Sequence, residues 1–288
     1  MAEDTAAADS ATVATLREAA TEFQGRPVLT LEATDRLAAA RQLSRREVEL
    51  AALGANVVPV RYLRNVGTIG LTGQAALLRA TVAVVGLGGL GGYVLEALAR
   101  SGVGRILAVD FDVFEEHNLN RQMLSDERYL GRPKAEAARE RVAAVNRAVE
   151  VISQRARLTA ESAPRLLGGA DVVVDALDNL PDRLVLQEAA AALGVPLVHG
   201  AIAGFMGQVM VIMPEDPGLR LLYPNGHPPA HGLEQSLGTP AATPMLVAAL
   251  QVQETVKLIT GVGEPLRHRL MMVDCESGSV QVLQNGMA

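Results

Sequence analysis

The chain has 288 residues, of which 49% are hydrophobic and 20% are charged, with one Cys and no Trp. That length allows one large domain with a sizeable core, and a single Cys excludes a disulfide framework and any Cys₄ metal centre within one chain. The net charge of −6 gives no electrostatic footprint for nucleic acid, and no apolar stretch reaches the roughly 18 residues that a membrane span requires.

The first 60 residues are interpreted as a small helical extension. Their acidic start, MAEDTAAADS, lacks the basic and apolar segments of a secretory signal, so we expect a cytoplasmic protein whose first residues are disordered. Apolar spacing predicts helices at 12–23, 32–43 and 45–53, and a Gly- and Arg-containing connector at 56–74. Whether residues 1–60 pack on the following domain or move freely is open at this point.

From residue 80 onward, apolar runs alternate with helical periods. Strands are predicted at 81–85, 105–110, 150–153, 171–177, 196–201 and 208–213. Helices are predicted at 91–101, 134–146 and 182–193. This alternation is typical of an α/β fold with a doubly wound, mostly parallel sheet, which is a Rossmann-like nucleotide-binding fold. We assign residues 61–288 to this domain.

The C-terminal part begins with a long segment that lacks periodicity. Residues 214–244 contain seven Pro and are predicted to form a crossover loop. A helix is predicted at 245–260, with Gly261 as its end. Strands at 269–273 and 279–283 are expected to close the chain as a hairpin that turns at Ser277-Gly278.

The strongest motif is GLGGLG, which lies directly between a predicted strand and a predicted helix. Its glycines Gly86, Gly88, Gly89 and Gly91 allow a tight turn, a close approach of the backbone to phosphates, and a free helix N-terminus. Asp110 follows 24 residues after Gly86, at the end of the second strand, where a carboxylate can accept hydrogen bonds from ribose hydroxyls. The motif therefore predicts a nucleotide site.

The residues beyond this turn favour a triphosphate over NAD, although the glycine pattern by itself indicates NAD. Polar residues follow the next strands, namely Asn118, Arg121, Lys134, Asp178 and Asn179. Loops at the carboxyl ends of strands converge on one crevice in such a sheet. Arg and Lys neutralise phosphate charge, and a carboxylate can hold Mg²⁺. No proton donor suited to hydride transfer was found, so an NAD-dependent oxidoreductase stays only an alternative.

The motifs GLGGLG, DFD, NLNRQ, GRPKA and DALDN, in this order and spacing, resemble the MoeB/ThiF/HesA branch of the ubiquitin-activating-enzyme superfamily. The resemblance covers residues 61–261, about two thirds of the chain. It implies an adenylyltransferase that uses ATP and Mg²⁺. Its substrate would be the C-terminal glycine of a small ubiquitin-like protein, such as a sulfur carrier of the MoaD or ThiS type, and pyrophosphate would be released.

The resemblance also implies roles for individual residues. Gly89 would face the nucleotide and Asp110 would hold the ribose. The residues that would act on the phosphates are Asn118, Arg121, Lys134 and Asp178, the last as the Mg²⁺ ligand. The segment RYLRN is similar to the family's R-Y-x-R-Q, whose second arginine, here Arg64, would enter the site of the partner subunit. A homodimer is therefore implied, and we hypothesise that residues 214–244 clamp the carrier's glycine tail.

The sequence departs from the family pattern in two places. Many relatives hold a zinc ion with paired C-x-x-C motifs, but no such pair lies near 219–224 or after Met271, so we predict no structural zinc. Many relatives also carry a Cys before the last long helix, whereas residues 234–238 are EQSLG. We therefore expect the reaction to stop at the acyl-adenylate. The only thiol, Cys275, is interpreted as a small buried hydrophobe in a strand.

Three further side chains have ambiguous roles. His227 and His231 have the spacing of metal ligands on a helix, but the Pro pair between them prevents that helix, which argues against a metal site. His199 is most simply a hydrogen-bonded core or rim residue. Arg183 either supports the site or is a solvated surface charge.

Two other functions stay open. One is an enzyme resembling the tRNA threonylcarbamoyladenosine dehydratases, for which the acidic balance is unfavourable unless the fold gathers a basic patch. The arginines available for such a patch are Arg128, Arg132, Arg139, Arg141 and Arg147. The other is a non-catalytic nucleotide-binding partner subunit, which would have no need for the cations and the carboxylate together. The sequence does not distinguish molybdenum or tungsten cofactor, thiamin and other sulfur-carrier pathways.

Overall fold

A computed structural model describes residues 10–222 and 234–284. The helices are α1 Ser10–Ala19, α2 Leu31–Arg41, α3 Arg45–Gly54, α4 Leu63–Arg79, α5 Gly89–Ser101, α6 Lys134–Val145, α7 Ala163–Leu167, α8 Leu180–Ala192, α9 Glu234–Leu237 and α10 Ala242–Thr260. The strands are β1 Thr21–Phe23, β2 Arg26–Leu29, β3 Val58–Pro59, β4 Thr81–Val85, β5 Arg105–Val109, β6 Glu150–Gln154, β7 Val172–Asp175, β8 Leu197–Ala203, β9 Met206–Ile212, β10 Arg269–Asp274 and β11 Ser279–Gln284. Among these residues, no helix is long and apolar enough to cross a bilayer.

The main sheet has eight strands in the order β11-β10-β9-β8-β7-β4-β5-β6. The five strands from β8 to β6 in that order are parallel, and β9, β10 and β11 extend the sheet in antiparallel pairs. The predicted doubly wound α/β fold is confirmed. Because β4 pairs with β5 on one side and with β7 on the other, the direction of winding reverses at β4, which is where such sheets bind ligands.

Helices cover the parallel part of the sheet on both faces. Along β4, Val82 and Val84 belong to a core that includes residues of α5, α6 and α10, whereas Ala83 and Val85 belong to a core that includes residues of α7 and α8. A strand with both faces buried needs apolar residues at every position. This is why residues 82–85 of β4 and 172–174 of β7 form continuous apolar runs.

We predicted a purely helical N-terminal region, but this region also contains three short strands. Helix α1 ends at Ala19 and does not continue to residue 23. Gln24 and Gly25 have φ values of 52° and 76°, and this left-handed turn pairs β1 with β2 in an antiparallel hairpin. Strand β3 adds in parallel to β2, so the extension contains a three-stranded sheet.

The extension is packed against the main domain. The hydroxyl of Tyr62 donates to buried Glu49 of α3 at 3.0 Å, and Arg46 donates to the carbonyl of Gly104 at 2.9 Å. The predicted connector at 56–74 is wrong, because α4 begins at Leu63. The glycine content that suggested a connector includes Gly70, whose φ of 68° and ψ of 177° kink this helix. A boundary at residue 60 stays a prediction.

The C-terminal elements agree with the sequence. Helix α10 ends at Thr260 and is capped by Gly261, which has a φ of 69°, and the β10–β11 hairpin turns through Gly278, which has a φ of 72°. Cys275 follows β10 directly, in the turn of this hairpin, and is exposed, so its predicted burial is wrong. The hairpin continues the sheet away from the helical layers, and its outer strand β11 is largely exposed.

Candidate functional site

The glycine turn brings β4, α5 and β7 unusually close together. Gly86 has a φ of 88°, and a Cβ on it would lie 2.5 Å from the carbonyl oxygen of Ala176. A Cβ on Gly91 would lie 1.8 Å from the carbonyl oxygen of Gly86. Both positions therefore require glycine. Gly91 serves close packing and does not line the cavity described next, and its assignment as a nucleotide contact stays a prediction.

A cavity of about 490 Å³ opens at the carboxyl ends of β4, β5 and β7. Eight of the predicted site residues line it, namely Gly86, Gly88, Gly89, Asp110, Arg121, Lys134, Asp178 and Asn179. The structure thus brings together residues that are up to 93 positions apart, counting from Gly86 to Asn179. This agrees with the expectation that loops after parallel strands converge.

Asp110 is bonded to the glycine turn. Its carboxylate accepts the backbone N–H of Leu87 at 2.7 Å and that of Asp112 at 2.8 Å. Burial raises the pKa of Asp110, and the charge of Lys134 together with these two N–H groups opposes that shift. Lys134 is itself buried and reaches Asp112 at 3.3 Å. A fixed carboxylate and a fixed ammonium group therefore lie beside the glycine turn.

Arg121 and Asp178 lie in the same cavity with opposite charges. The guanidinium of Arg121 donates to the carbonyl of His117 at 3.0 Å and to Asn120 at 2.8 Å, which aligns it. Burial lowers the pKa of Arg121, and the charge of Asp178 opposes that shift. Asp178 is exposed, and its carboxylate accepts a hydrogen bond from the side-chain amide of Asn179 at 3.3 Å.

Asn179 caps the N-terminus of α8 with its side chain. Its Oδ1 accepts the backbone N–H of Asp182 at 2.9 Å, as the N-cap of that helix. Its amide nitrogen donates to the carboxylate of Asp182 at 2.9 Å. The side chain that we assigned to the cofactor therefore also fixes the loop that carries Asp178.

The residues that line the cavity have the chemistry that a nucleoside triphosphate requires. Gly89 begins α5, and a Cβ there would lie 3.5 Å from Pro244 and 3.7 Å from Arg121, so its absence leaves room beside the helix N-terminus. Helix N-termini bind phosphates through their free N–H groups. The described residues contain no cluster of three or more His, Cys, Asp or Glu that could hold a metal. A single carboxylate suits Mg²⁺, which takes its other ligands from phosphates and water.

Two other predicted site residues lie outside the cavity. Asn118 is buried and its Oδ1 accepts the backbone N–H of Glu115 at 3.0 Å, so it caps the 3₁₀ helix Glu116–Asn118 and does not line the cavity. The sequence could not show that this side chain is used locally. Arg64 is exposed on α4 and is also absent from the cavity of its own chain.

Several lining residues were missed or left open. Gln122, the last residue of NLNRQ, is 6% exposed, and its Oε1 has no hydrogen-bond partner among the described residues. Its position in the motif was a signal that we did not use. Arg183 is buried at the cavity and is not a surface charge. Phe111 also lines it, with the guanidinium carbon of Arg157 4.4 Å from the ring centroid. No sequence pattern pointed to Arg157.

Part of the predicted crossover loop reaches the site. Thr239 lines the cavity, and its carbonyl accepts the side-chain amide of Asn120 at 3.2 Å. His227 and His231, with the Pro pair between them, lie outside the described residues. The clamp over a glycine tail stays a prediction.

A model of the ThiF family matches residues 62–287. The chain belongs to the ThiF family. It is 39% identical to the SAMP-activating enzyme E1 of Haloferax volcanii, over 74% of this chain and 80% of that protein. It is 41% identical to the sulfur carrier protein adenylyltransferase of Thermus thermophilus, over 75% of this chain and 82% of that protein. The resemblance to the MoeB/ThiF branch is confirmed.

Solved structures share the fold of this ThiF-family chain. Escherichia coli MccB, solved with ATP, superposes with a TM-score of 0.66 at 23% identity, over 79% of this chain and 72% of MccB. PaaA superposes with a TM-score of 0.66 at 19% identity, over 79% of this chain and 82% of PaaA. At these identities the likeness concerns the fold alone.

Proposed function

We propose that this ThiF-family protein uses ATP to adenylate the C-terminal glycine carboxylate of a small ubiquitin-like sulfur-carrier protein, with release of pyrophosphate. The observation that carries the proposal is the convergence of Arg121, Lys134 and Asp178 on one cavity with the glycine turn. The names of two relatives, a SAMP-activating E1 and a sulfur carrier protein adenylyltransferase, support the same reaction.

The chemistry requires charge neutralisation more than proton transfer. A carboxylate oxygen of the carrier attacks the α-phosphorus of ATP, the new P–O bond forms the acyl-adenylate, and the bond to the leaving pyrophosphate breaks. Both reactants are anions, so Arg121 and Lys134 lower the barrier by holding the phosphate charge in a fixed, partly buried place. No protein nucleophile is needed. Asp110, beside the glycine turn, accepts the ribose hydroxyls in this proposal.

Asp178 is the proposed Mg²⁺ ligand. When bound, Mg²⁺ neutralises phosphate charge and stabilises the pyrophosphate leaving group. The chain's own contribution is an exposed carboxylate that faces the cavity from the start of α8 and is held there by Asn179. Asn179 therefore acts on the metal site through the backbone of its loop.

The proposal includes a homodimer in which Arg64 acts across the interface. Support comes from its position, since Arg64 is exposed and lies outside the cavity of its own chain. A cation on the surface near one end of α4 is free to serve a site on a second copy.

The alternative functions receive no support from the structure. Three of the arginines that could form a tRNA-binding patch are paired with carboxylates, namely Arg128 with Asp126, Arg132 with Glu140 and Arg141 with Glu96. Pairing of this kind lowers the positive potential that phosphate binding requires. Membership of the ThiF family argues against a nicotinamide enzyme. The cations and carboxylate gathered in one cavity argue against a non-catalytic subunit.

ATP–pyrophosphate exchange with candidate carriers ending in Gly-Gly tests the proposed function. We expect carrier-dependent exchange in the wild type and a loss of roughly 100-fold or more in Arg121→Ala and Asp178→Ala, because each removes an electrostatic contact to the transition state. Arg128→Ala, which removes an exposed arginine outside the cavity, is the matched control and should keep full exchange. Exchange that survives both cavity substitutions would refute the residue assignments.

A further inference from the structure

A chain of buried polar side chains lies beneath the proposed metal loop. His199, at the third position of β8, has no exposed surface, and its Nδ1 lies 2.7 Å from Oδ2 of Asp175. On its other side, its Nε2 lies 3.0 Å from the amide nitrogen of Gln208 on β9. Asp175 is the last residue of β7 and is also fully buried. The chain thus runs from the antiparallel part of the sheet to the strand that ends at the site.

These contacts fix the form of the histidine. The amide nitrogen of Gln208 can only donate, so Nε2 of His199 accepts and Nδ1 carries the proton that it donates to Asp175. The charged or titratable groups that face the ring are Asp175 and Arg183. Burial lowers the pKa of His199, and the hydrogen bond to Asp175 opposes that shift. The ring of His199 is therefore neutral, and its single N–H group donates to the carboxylate of Asp175.

Asp175 and Arg183 together hold the residue that precedes Asp178. Oδ1 of Asp175 accepts the backbone N–H of Leu177 at 3.0 Å. The guanidinium of Arg183 donates to the carbonyl of the same Leu177 at 2.5 Å. Both polar groups of one residue are therefore fixed by buried side chains. Asp178 itself is exposed, so its direction into the cavity depends on this backbone.

We propose that His199 is a positioning residue, which holds Asp175 in place and thereby sets the direction of Asp178 toward the metal. The proposal rests on the proposed function, because it takes Asp178 as the Mg²⁺ ligand. Without the ring N–H, Oδ2 of Asp175 keeps only Arg183, whose Nε lies 3.9 Å away. A buried carboxylate oxygen left without a donor is costly, so the carboxylate turns toward the guanidinium and releases Leu177.

Calorimetric titration of ATP in the presence and absence of Mg²⁺, without carrier, tests the proposal by binding alone. His199→Phe keeps a ring but loses the donor, whereas His199→Asn keeps an amide N–H close to the position of Nδ1. We expect His199→Phe to lose about 10-fold of the Mg²⁺-dependent gain in ATP affinity, the size of effect seen for residues that orient metal ligands. Its Mg²⁺-free affinity and the behaviour of His199→Asn should match the wild type.

Met210→Ala is the matched control, because Met210 pairs with His199 across the sheet and is also buried, and its truncation removes packing beside the ring without removing a hydrogen-bond donor. It should lower stability and leave the Mg²⁺-dependent gain unchanged. An equal loss of affinity with and without Mg²⁺ in His199→Phe would mean a merely structural role and would overturn the proposal.

A double-mutant cycle with Asp178→Asn separates this inference from the proposed function. If His199 acts through Asp178, then His199→Phe causes no further loss on the Asp178→Asn background. Additive losses would overturn the positioning role. Should Asp178→Asn keep the full Mg²⁺-dependent gain, the metal assignment itself fails, and the inference fails with it. If Asp178→Asn loses the gain and His199→Phe does not, only the inference fails.

Discussion

At the scale of single residues, the closest packing in the glycine turn is between Gly91 and the carbonyl of Gly86. No side-chain atom fits between the first turn of α5 and the carbonyl of Gly86, since a Cβ would come within 1.8 Å of that oxygen. The obstacle is backbone, which cannot rotate away as a side chain can. The separation of α5 from β4 is thereby set at this one residue.

We expect Gly91→Ala to lower the free energy of unfolding by at least about 2 kcal/mol, because the methyl group forces α5 away from β4. ATP affinity should fall as well, since α5 begins at the phosphate position. Urea denaturation and ATP titration measure the two effects. Gly54→Ala in α3 is the control, because a Cβ there meets nothing within 4 Å, and it should be neutral or stabilising. Equal stability of the two variants would contradict the packing argument.

Much of the site could be predicted from the sequence, for a physical reason. Arg121, Lys134 and Asp178 follow strands of one parallel sheet, and the topology alone brings such residues together. Asn118 shows the limit, because a residue in the same loop can use its side chain to cap a local turn. Arg183 shows another, since no single-sequence feature says whether a charge at the start of a helix points into or out of the protein.

At the scale of elements, buried Glu96 joins α5 to α6. Its carboxylate accepts hydrogen bonds from Arg141 of α6, at 2.6 and 2.9 Å, and from Arg100 of α5 itself. Burial alone would raise the pKa of Glu96, but the hydrogen bonds from the two arginines outweigh it, so the pKa lies below its ordinary value. The ionised carboxylate is therefore the form that favours the folded state.

A lowered pKa in the folded state means that the stabilisation is present above the ordinary pKa of Glu and is lost as the pH falls through the folded value. We expect Glu96→Gln to cost about 1 kcal/mol near neutral pH, discounted for the exposure of both arginines. The difference from wild type should shrink in denaturation experiments at about pH 3. A difference that is constant with pH would contradict this assignment.

Element type was predictable where burial and periodicity agree. The strands of the main sheet have β-branched runs that fit their burial, and α10 has a glycine at its end. The short strands β1, β2 and β3 were all missed because two to four residues carry no period, and both β1 and β3 depend on pairing with β2. Helix α4 was missed because Gly70 interrupts it with a conformation that an ordinary helix does not contain.

At the scale of the whole molecule, the proposed homodimer predicts complementation between two inactive variants. Arg64→Ala and Lys134→Ala should each abolish carrier-dependent exchange. In a mixed dimer, the Arg64→Ala chain keeps its own Lys134 and receives the partner's Arg64, so one of the two sites is intact. Random subunit exchange should therefore restore about one quarter of wild-type activity.

Mixing Lys134→Ala with Asp178→Ala is the control for this experiment, because both substitutions lie in the same cavity and no pairing of these chains yields an intact site. If the first mixture stays as inactive as the second, while sedimentation shows that mixed dimers have formed, Arg64 does not act across the interface.

The buried link between Glu49 and Tyr62 bears on how this protein can be shortened. The hydroxyl of Tyr62 also accepts a hydrogen bond from the side-chain amide of Asn146. A Cβ on Gly102 would lie 2.6 Å from the Tyr62 ring, so this side chain is enclosed on several sides. A chain trimmed to begin at the family match would open Tyr62 and Leu78 to water and take away the acceptor for the phenol proton. The segment before the match therefore stabilises the domain that carries the site. A protein expressed without this segment would be unstable.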